Sequence, residues 1–456
     1  MGTLSRVMRL IVCILVTLLV TAKSVEGKKN VLVFIGDDAG FLQSAYNNTV
    51  CQTPNLDKLA ARSLTFTHGY TSVSSCSPRT ADCLAGVVIT TGDSSSPTVV
   101  ETLREKGAIF TCSFEEERRA LEMAIDWIDK QCDASNSVVV FTDNDWCKIP
   151  FFLYIGFFDS HRTRPSDVET YGPFRNLWGT GKPGMGLIKD WTPQVYNPDD
   201  VIVPYFLPDN DVTRRDISAM YTSFGRMDQG IGLFLHELEK AGHLEDTLIM
   251  FTADNGIPFP NAKTNLYEPG MGEPMMISLP QNKNSWGQFS DALASTMDFT
   301  PTILDWFGVP YPDYTLNGLK VSLTGRSLLP LTSSHQGAGQ DFTVAYSSHD
   351  FHETKTTKTH INFVYLLHRT QTGIPTNWFK TLPQYYYREE YELFDLTYDP
   401  EELHNLAYEP SHADILSSME KKLIEWQWKT NDPWVCMPHG VLIDGQCYPM
   451  LNQPAK

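Results

Sequence analysis

Val31-Leu32-Val33-Phe34-Ile35-Gly36-Asp37-Asp38 is an apolar run that ends in two adjacent carboxylates. A short apolar run without alternation is the pattern of a strand covered on both faces, as in a parallel sheet. Residues 248–252 repeat the pattern and deliver Asp254-Asn255-Gly256 in the same way. Further strand-like runs at 151–157 and 275–279 alternate with helical stretches at 55–62 and 211–241. This alternation predicts an α/β fold, a mainly parallel sheet with helices on both faces. Such sheets bind ligands at the carboxyl ends of their strands. Asp37, Asp38, His161, Asp254 and Asn255 each follow a strand candidate, so all five are expected on one rim.

From about residue 340 the texture changes to short strand-like pieces and a final amphipathic helix at 412–428, which predicts a smaller C-terminal α+β domain over 340–456. With 456 residues the chain can bury a large core without an obligatory partner. A net charge of -18 argues against a nucleic-acid or anionic-membrane surface. It leaves room for a local basic pocket that takes an anionic substrate.

The N-terminus carries Arg6 and Arg9, an apolar stretch at 10–20, and small residues near Ala22 or Gly27 ahead of Lys28-Lys29. That order reads as a secretory signal peptide over 1–27. The apolar core is short of the roughly 20 residues that span a bilayer, and no other segment is long and apolar enough. Entry into the secretory route makes disulfides available and Asn47 of Asn47-Asn48-Thr49 a usable glycosylation site. Of nine cysteines, Cys436 and Cys447 flank a Pro/Gly turn segment and are expected to form a local bridge. Cys83, Cys112, Cys132 and Cys147 match no zinc spacing.

Asp37, Asp38, Asp254 and Asn255 supply hard oxygen ligands of the kind that hold Ca²⁺ or Mg²⁺. Acidic pairs after strands also occur as helix caps and turns, and a lone Cys76 also reads as a buried or bridged cysteine. The wording around these residues narrows the choice. The segments Thr71-Ser72-Val73-Ser74-Ser75-Cys76-Ser77-Pro78, Asp190-Trp191-Thr192-Pro193-Gln194 and Gly225-Arg226-Met227-Asp228-Gln229-Gly230 resemble the sulfatase family of the alkaline-phosphatase superfamily. So do Asp254-Asn255-Gly256-Ile257-Pro258-Phe259-Pro260 and Glu392-Leu393-Phe394-Asp395-Leu396. Trp426-Gln427-Trp428 and Asp432-Pro433-Trp434-Val435-Cys436 are similar to its sulfamidase branch.

The resemblance implies an alkaline-phosphatase-like catalytic domain over 28–339 and removal of N-linked sulfate from glucosamine residues of heparan sulfate oligosaccharides, with an O-sulfatase as the alternative within the class. It also implies residence in the lysosome, and a homodimer is compatible with it. In the family, the cysteine of a Cys-x-Pro-Ser-Arg motif is oxidised to formylglycine by the formylglycine-generating enzyme. Cys76 matches that cysteine. By the same resemblance Asp37, Asp38, Asp254, Asn255 and modified Cys76 would hold Ca²⁺, His161 would contact sulfate or protonate the leaving group, and Lys263 would place a point charge against the sulfate.

Two departures stand against this. The family arginine lies four positions after the cysteine, whereas Arg79 lies one position early, and no Gly-Lys-x-His segment is found between Thr80 and Ile149. Residues from about 86 to 148 instead resemble a ribonuclease H fragment of retrotransposon polyproteins, with Glu117 and Asp143 at two of its acidic positions. The expectation is that about 79–149 is foreign to the sulfatase domain, brought in by insertion or by a faulty gene model. A displaced Arg79 and an unconverted Cys76 would leave a sulfatase-like protein impaired in catalysis. A shorter departure lies at 353–370.

Overall fold

The computed structural model describes residues 30–74, 152–157, 160–162, 174, 193–308, 314–316, 319–321, 324–333, 343–347, 361–437, 439–443 and 445–449. The signal-peptide segment, Cys76, Arg79, Glu117, Asp143 and the cysteines at 83, 112, 132 and 147 lie outside these residues.

The central sheet has six strands: β1 (Asn30–Gly36), β2 (Leu64–Tyr70), β3 (Phe152–Phe157), β4 (Thr247–Ala253), β5 (Met275–Ser278) and β6 (Gln288–Ser295). Their order is β3-β1-β4-β5-β2-β6. β1 pairs in parallel with β3 and β4, and β2 in parallel with β6, while β5 runs antiparallel to both of its neighbours. The sheet is therefore mixed and mostly parallel, as the strand and helix alternation predicts.

Helices cover both faces, and the two-residue period of the strands divides the core between them. Leu32, Phe34, Ile249 and Phe251 pack against Ile217, Met220, Tyr221 and Phe224 of α2 (Asp211–Lys240). Val31, Val33, Ile35, Leu248 and Met250 point the other way, toward Phe299, Ile303, Trp306 and Phe307 of α3 (Phe299–Phe307). With both sides of β1 buried, a continuous apolar run is the only pattern that fits, which is why Val31 to Ile35 does not alternate.

α2 begins at Asn210, whose side chain accepts from the N–H groups of Val212 and Thr213 and so satisfies two donors of the first turn. Farther along it, Asp228 accepts from the backbone of Asn55 and Leu56 and from the Asn55 amide, tying α2 to the start of α1 (Pro54–Ala61). Gly36, the last residue of β1, sits where an added Cβ would meet Met227 Sδ at 2.8 Å. Glycine there lets α2 approach the strand end that carries the acids.

The chain forms two compact units, divided between Phe379 and Lys380. The division lies beyond the change of texture at 340. The reason is that α4 (Ile361–Gln371) contacts α2 and the Trp378 indole donates to Phe206 O at 2.8 Å, so both belong to the first unit. The second unit contains α5 (Ala413–Thr430) and the antiparallel pair β9 (Gly440–Ile443) and β10 (Gln446–Pro449), after a short pair β7 (Tyr314–Leu316) and β8 (Leu319–Val321) in the first. Cys436 and Cys447 are disulfide-bonded. Among the described residues no helix is long and apolar enough to cross a membrane.

Candidate active site

Three parallel strands end side by side, and each end carries a polar group onto the same rim. Asp37 N–H continues the ladder to Phe157 O at 2.8 Å, and Asp254 N–H reaches Gly36 O at 2.9 Å. Asp38 then leaves the sheet with φ +60°, a left-handed conformation uncommon outside glycine. That turn aims its backbone N–H at Asp254 Oδ1, 2.6 Å away, and sends its carboxylate into the interior, where it is fully buried.

Asp38 is the centre of the cluster. Its Oδ1 accepts from Asn255 Nδ2 at 2.6 Å and from Lys263 Nζ at 2.7 Å. Its Oδ2 lies 3.7 Å from His161 Nε2. Burial pushes the Asp38 carboxyl up, but Lys263 and His161 together with the Lys263 and Asn255 hydrogen bonds outweigh it and hold the group below its ordinary value. Asp37 goes the other way: burial, then repulsion from Asp254 and Asp38, drives it well above the carboxylate range. For His161, burial holds the imidazole below its ordinary value against the pull of Asp38.

The donor set fits a hard divalent cation. Asp37, Asp38 and His161 each offer a ligand atom within 4.8 Å of the others. Asn255 is fully buried, its Nδ2 is used by Asp38 and Gly256 O, and its Oδ1 has no hydrogen-bond partner among the described residues. A buried amide oxygen without a donor is costly unless something positive meets it. Repulsion among Asp37, Asp38 and Asp254 is of the same kind, a local excess of negative charge that one lysine only partly offsets.

The loop after β4 is built tightly around these groups. Gly256 lies where an added Cβ would come 1.9 Å from Pro269 O, so no other residue fits without moving the backbone. Asn261 and Thr264 flank Lys263 with φ +67° and +69°, and for a β-branched residue such as Thr264 that is a strained conformation. The strain is held from outside: Thr264 N–H donates to both Ser74 O and Ser74 Oγ at 2.9 Å, and Ser74 Oγ donates to Gly270 O at 2.8 Å. Ser74 stands two positions ahead of Cys76.

The structure thus brings together Asp37, Asp38, His161, Asp254, Asn255 and Lys263. Asn47 is exposed, in a left-handed turn conformation. Cys76 and Arg79 lie outside the described residues. Sequence reasoning missed Arg162, whose guanidinium is buried beside the site and forks onto Asp216. It also missed Ser74 and Thr264. Asp159-Ser160-His161-Arg162 contained a signal for the first, a second cationic residue directly after a strand end, but its partner on α2 is distant in sequence.

Comparison with known proteins gives a consistent result. A sequence model of the sulfatase family matches residues 29–107 and 121–309. These ranges enter the 79–149 segment from both sides and leave out 108–120. A second model, described as N-sulphoglucosamine sulphohydrolase, C-terminal, matches residues 261–429. The chain is similar to human N-sulphoglucosamine sulphohydrolase, 40% identical with 93% of this chain and 95% of the relative covered. It is also similar to an ulvan-active sulfatase of Formosa agariphila, 24% identical over 88% of this chain and 74% of the relative. Among solved structures, a protein in complex with its substrate D-glucosamine-2-N,6-O-disulfate superposes with a TM-score of 0.54 at 16% identity, covering 89% of this chain and 98% of that one. The phosphonate monoester hydrolase of Agrobacterium radiobacter does so with a TM-score of 0.53 at 17% identity, covering 88% and 96%. These last two likenesses concern the fold.

Proposed function

Because the chain belongs to the sulfatase family, we propose that it hydrolyses the N-linked sulfate of glucosamine at the non-reducing end of heparan sulfate chains. The observation that carries this reading is the meeting of Asp37, Asp38, Asn255, Lys263 and His161 at the ends of β1, β3 and β4, in a chain that is 40% identical to a sulfohydrolase of N-sulphoglucosamine. Cys76, converted to formylglycine by the formylglycine-generating enzyme, supplies the oxygen nucleophile, and Asp37, Asp38, Asp254 and Asn255 hold Ca²⁺. When bound, the ion lowers the pKa of the attacking hydroxyl and neutralises sulfate oxygens.

The remaining roles fall to side chains. Lys263, buried and held on Asp38, contributes a fixed positive charge beside the anionic group, where little water screens it. His161 presents Nε2 to the same space, where the neutral ring contacts the sulfate group or its metal and only the imidazolium, with a proton on each ring nitrogen, protonates the departing amine. Ser74, pinned to the Lys263 loop, anchors the segment that leads to Cys76. Lysosomal residence is proposed on the likeness to human N-sulphoglucosamine sulphohydrolase. A homodimer is the proposed assembly.

A second reading is favoured by one observation, the position of Arg79 three residues after Cys76 rather than four. On that reading Cys76 stays a thiol and the chain keeps its metal site without turnover. The first reading is tested by incubating the purified chain with a glucosamine sulfamate, a sugar sulfate ester and a phosphate ester. Preferential release of sulfate from the sulfamate is expected. Preference for the sulfate ester makes the protein an O-sulfatase, and turnover of the phosphate ester alone rejects sulfatase function.

A further inference from the structure

Arg162 follows His161 in the chain, and it is 1% exposed. Its Nη1 and Nη2 fork onto the two carboxylate oxygens of Asp216 on α2, at 3.0 and 2.6 Å. Nε donates to Pro258 O at 2.8 Å, and the guanidinium lies between the rings of Phe174 and Phe259, 4.4 and 4.6 Å from their centroids. Every named contact goes to the protein interior. A charge buried this deeply is costly, and the pair with Asp216 offsets that cost without an obvious net gain in stability. Its placement therefore calls for another explanation.

The backbone of the same residue supplies one. Arg162 O lies 2.5 Å from His161 Nδ1. A carbonyl oxygen only accepts, so Nδ1 carries the proton and, in the neutral ring, Nε2 is left with its lone pair. Nε2 is the nitrogen that faces Asp38. At its other end the guanidinium holds Pro258 O, in the loop between Asn255 and Lys263, and that loop closes on itself through Lys263 N–H to Ile257 O at 3.1 Å.

We propose that Arg162 is a positioning residue. Its clamp on Asp216, Pro258 and the two rings fixes the peptide whose carbonyl selects the Nδ1–H form of His161 and aims Nε2 at the site, and it locks that peptide to the loop that carries Lys263. The effect on turnover rests on the sulfamidase reading, whereas the tautomer of His161 does not. Arg162 itself touches no substrate. A guanidinium fork is required because a lysine at 162 could meet Asp216 but not hold Asp216 and Pro258 in one plane.

Two variants of the full-length protein test this. R162K keeps the charge and loses the fork. The double variant R162M/D216L exchanges the buried pair for apolar side chains, a change that folded proteins often tolerate, and so separates positioning from charge burial. If the double variant does not fold, R162K carries both measurements. The first measurement is ¹⁵N NMR of the His161 ring in histidine-labelled protein, with H161Q to assign the signal. The wild type is expected to show Nδ1–H and the variants a mixture of tautomers; a wild-type ring protonated on Nε2 alone, or variants with the wild-type signature, overturns the proposal. The second is steady-state hydrolysis of a glucosamine sulfamate, for which about a 10²-fold loss of kcat with KM changed by less than about threefold is expected. Folded variants with wild-type kcat also overturn it. If the wild type releases no sulfate from any substrate, the proposed function fails while the ring measurement still decides the role of Arg162.

Discussion

Stripping the divalent cation from the purified protein should destabilise it more at neutral than at acidic pH. Ligand atoms of Asp37 and Asp38 lie within 4.8 Å of each other, and two unit charges at that distance repel by about 3.5 kcal/mol at an effective dielectric constant of about 20. A bound cation cancels this repulsion. Without the cation, a proton can do so instead, because Asp37 is raised well above its ordinary value by burial and by Asp254 and Asp38. A raised carboxyl contributes stability that is fully present below its unfolded value, near 3.9, and is lost as the pH rises through the folded value. The stripped protein therefore weakens toward neutrality. Unfolding entropy of about 2 cal/mol/K per residue over 456 residues gives roughly 1 kcal/mol/K. The expected loss is then about 3–4 °C in Tm at about pH 7.5, and less at about pH 5. Differential scanning fluorimetry in chelator and in excess Ca²⁺ reads both. K263M sharpens the test, since it removes the internal cation on Asp38 at a cost of about 3–5 kcal/mol and should enlarge the Ca²⁺-induced shift. Equal Tm with and without Ca²⁺ at neutral pH, or a larger loss at acidic pH, refutes the assignment of these carboxylates to a metal.

With Ca²⁺ bound, Tm should still rise by a few degrees from about pH 7.5 to about pH 5, because burial pushes Asp228 and Asp298 up to about 6 and both favour their neutral forms when folded. D298N should flatten that slope, and an unchanged slope removes Asp298 as a source. G256A places a methyl group against Pro269 O and should cost several kcal/mol, read as a lowered urea midpoint; a wild-type midpoint shows that the loop can yield. Sequencing the transcript across codons 70 to 160 tests the foreign origin of about 79–149. A message with Cys-x-Pro-Ser-Arg and a Gly-Lys-x-His segment supports it as an artefact of the gene model, and a message that encodes the segment unchanged excludes that artefact.

How far the sequence could be read depended on whether the controlling contacts were local. Val31 to Ile35 and Leu248 to Thr252 sit between helices on both faces, so their burial is written in residue type alone and the acids after them could be placed on one rim. The long helix ending near 240 was equally legible as a helical stretch at 211–241, whereas its start at Asn210 is fixed by the cap seen in the structure. The Arg162–Asp216 pair was not, because it joins a strand end to a helix far along the chain and either residue alone looks like an ordinary surface charge. The positive φ of Asp38 and Thr264 was hidden for a different reason: neither position is itself a glycine, and hydrogen bonds from distant segments hold them. The limit of the first compact unit lies at Phe379 because α4 and Trp378 join it through contacts with α2 and Phe206, which no change of composition announces.

Whether the protein is an enzyme or only sulfatase-shaped turns on the chemical identity of residue 76. Tryptic mass spectrometry of the purified protein, with an aldehyde-reactive probe on the peptide that contains Cys76, reads it directly. Formylglycine at that position is the predicted result. Recovery of an unmodified cysteine thiol throughout the preparation contradicts hydrolysis by this chain and leaves the second reading, a metal-holding protein without its nucleophile.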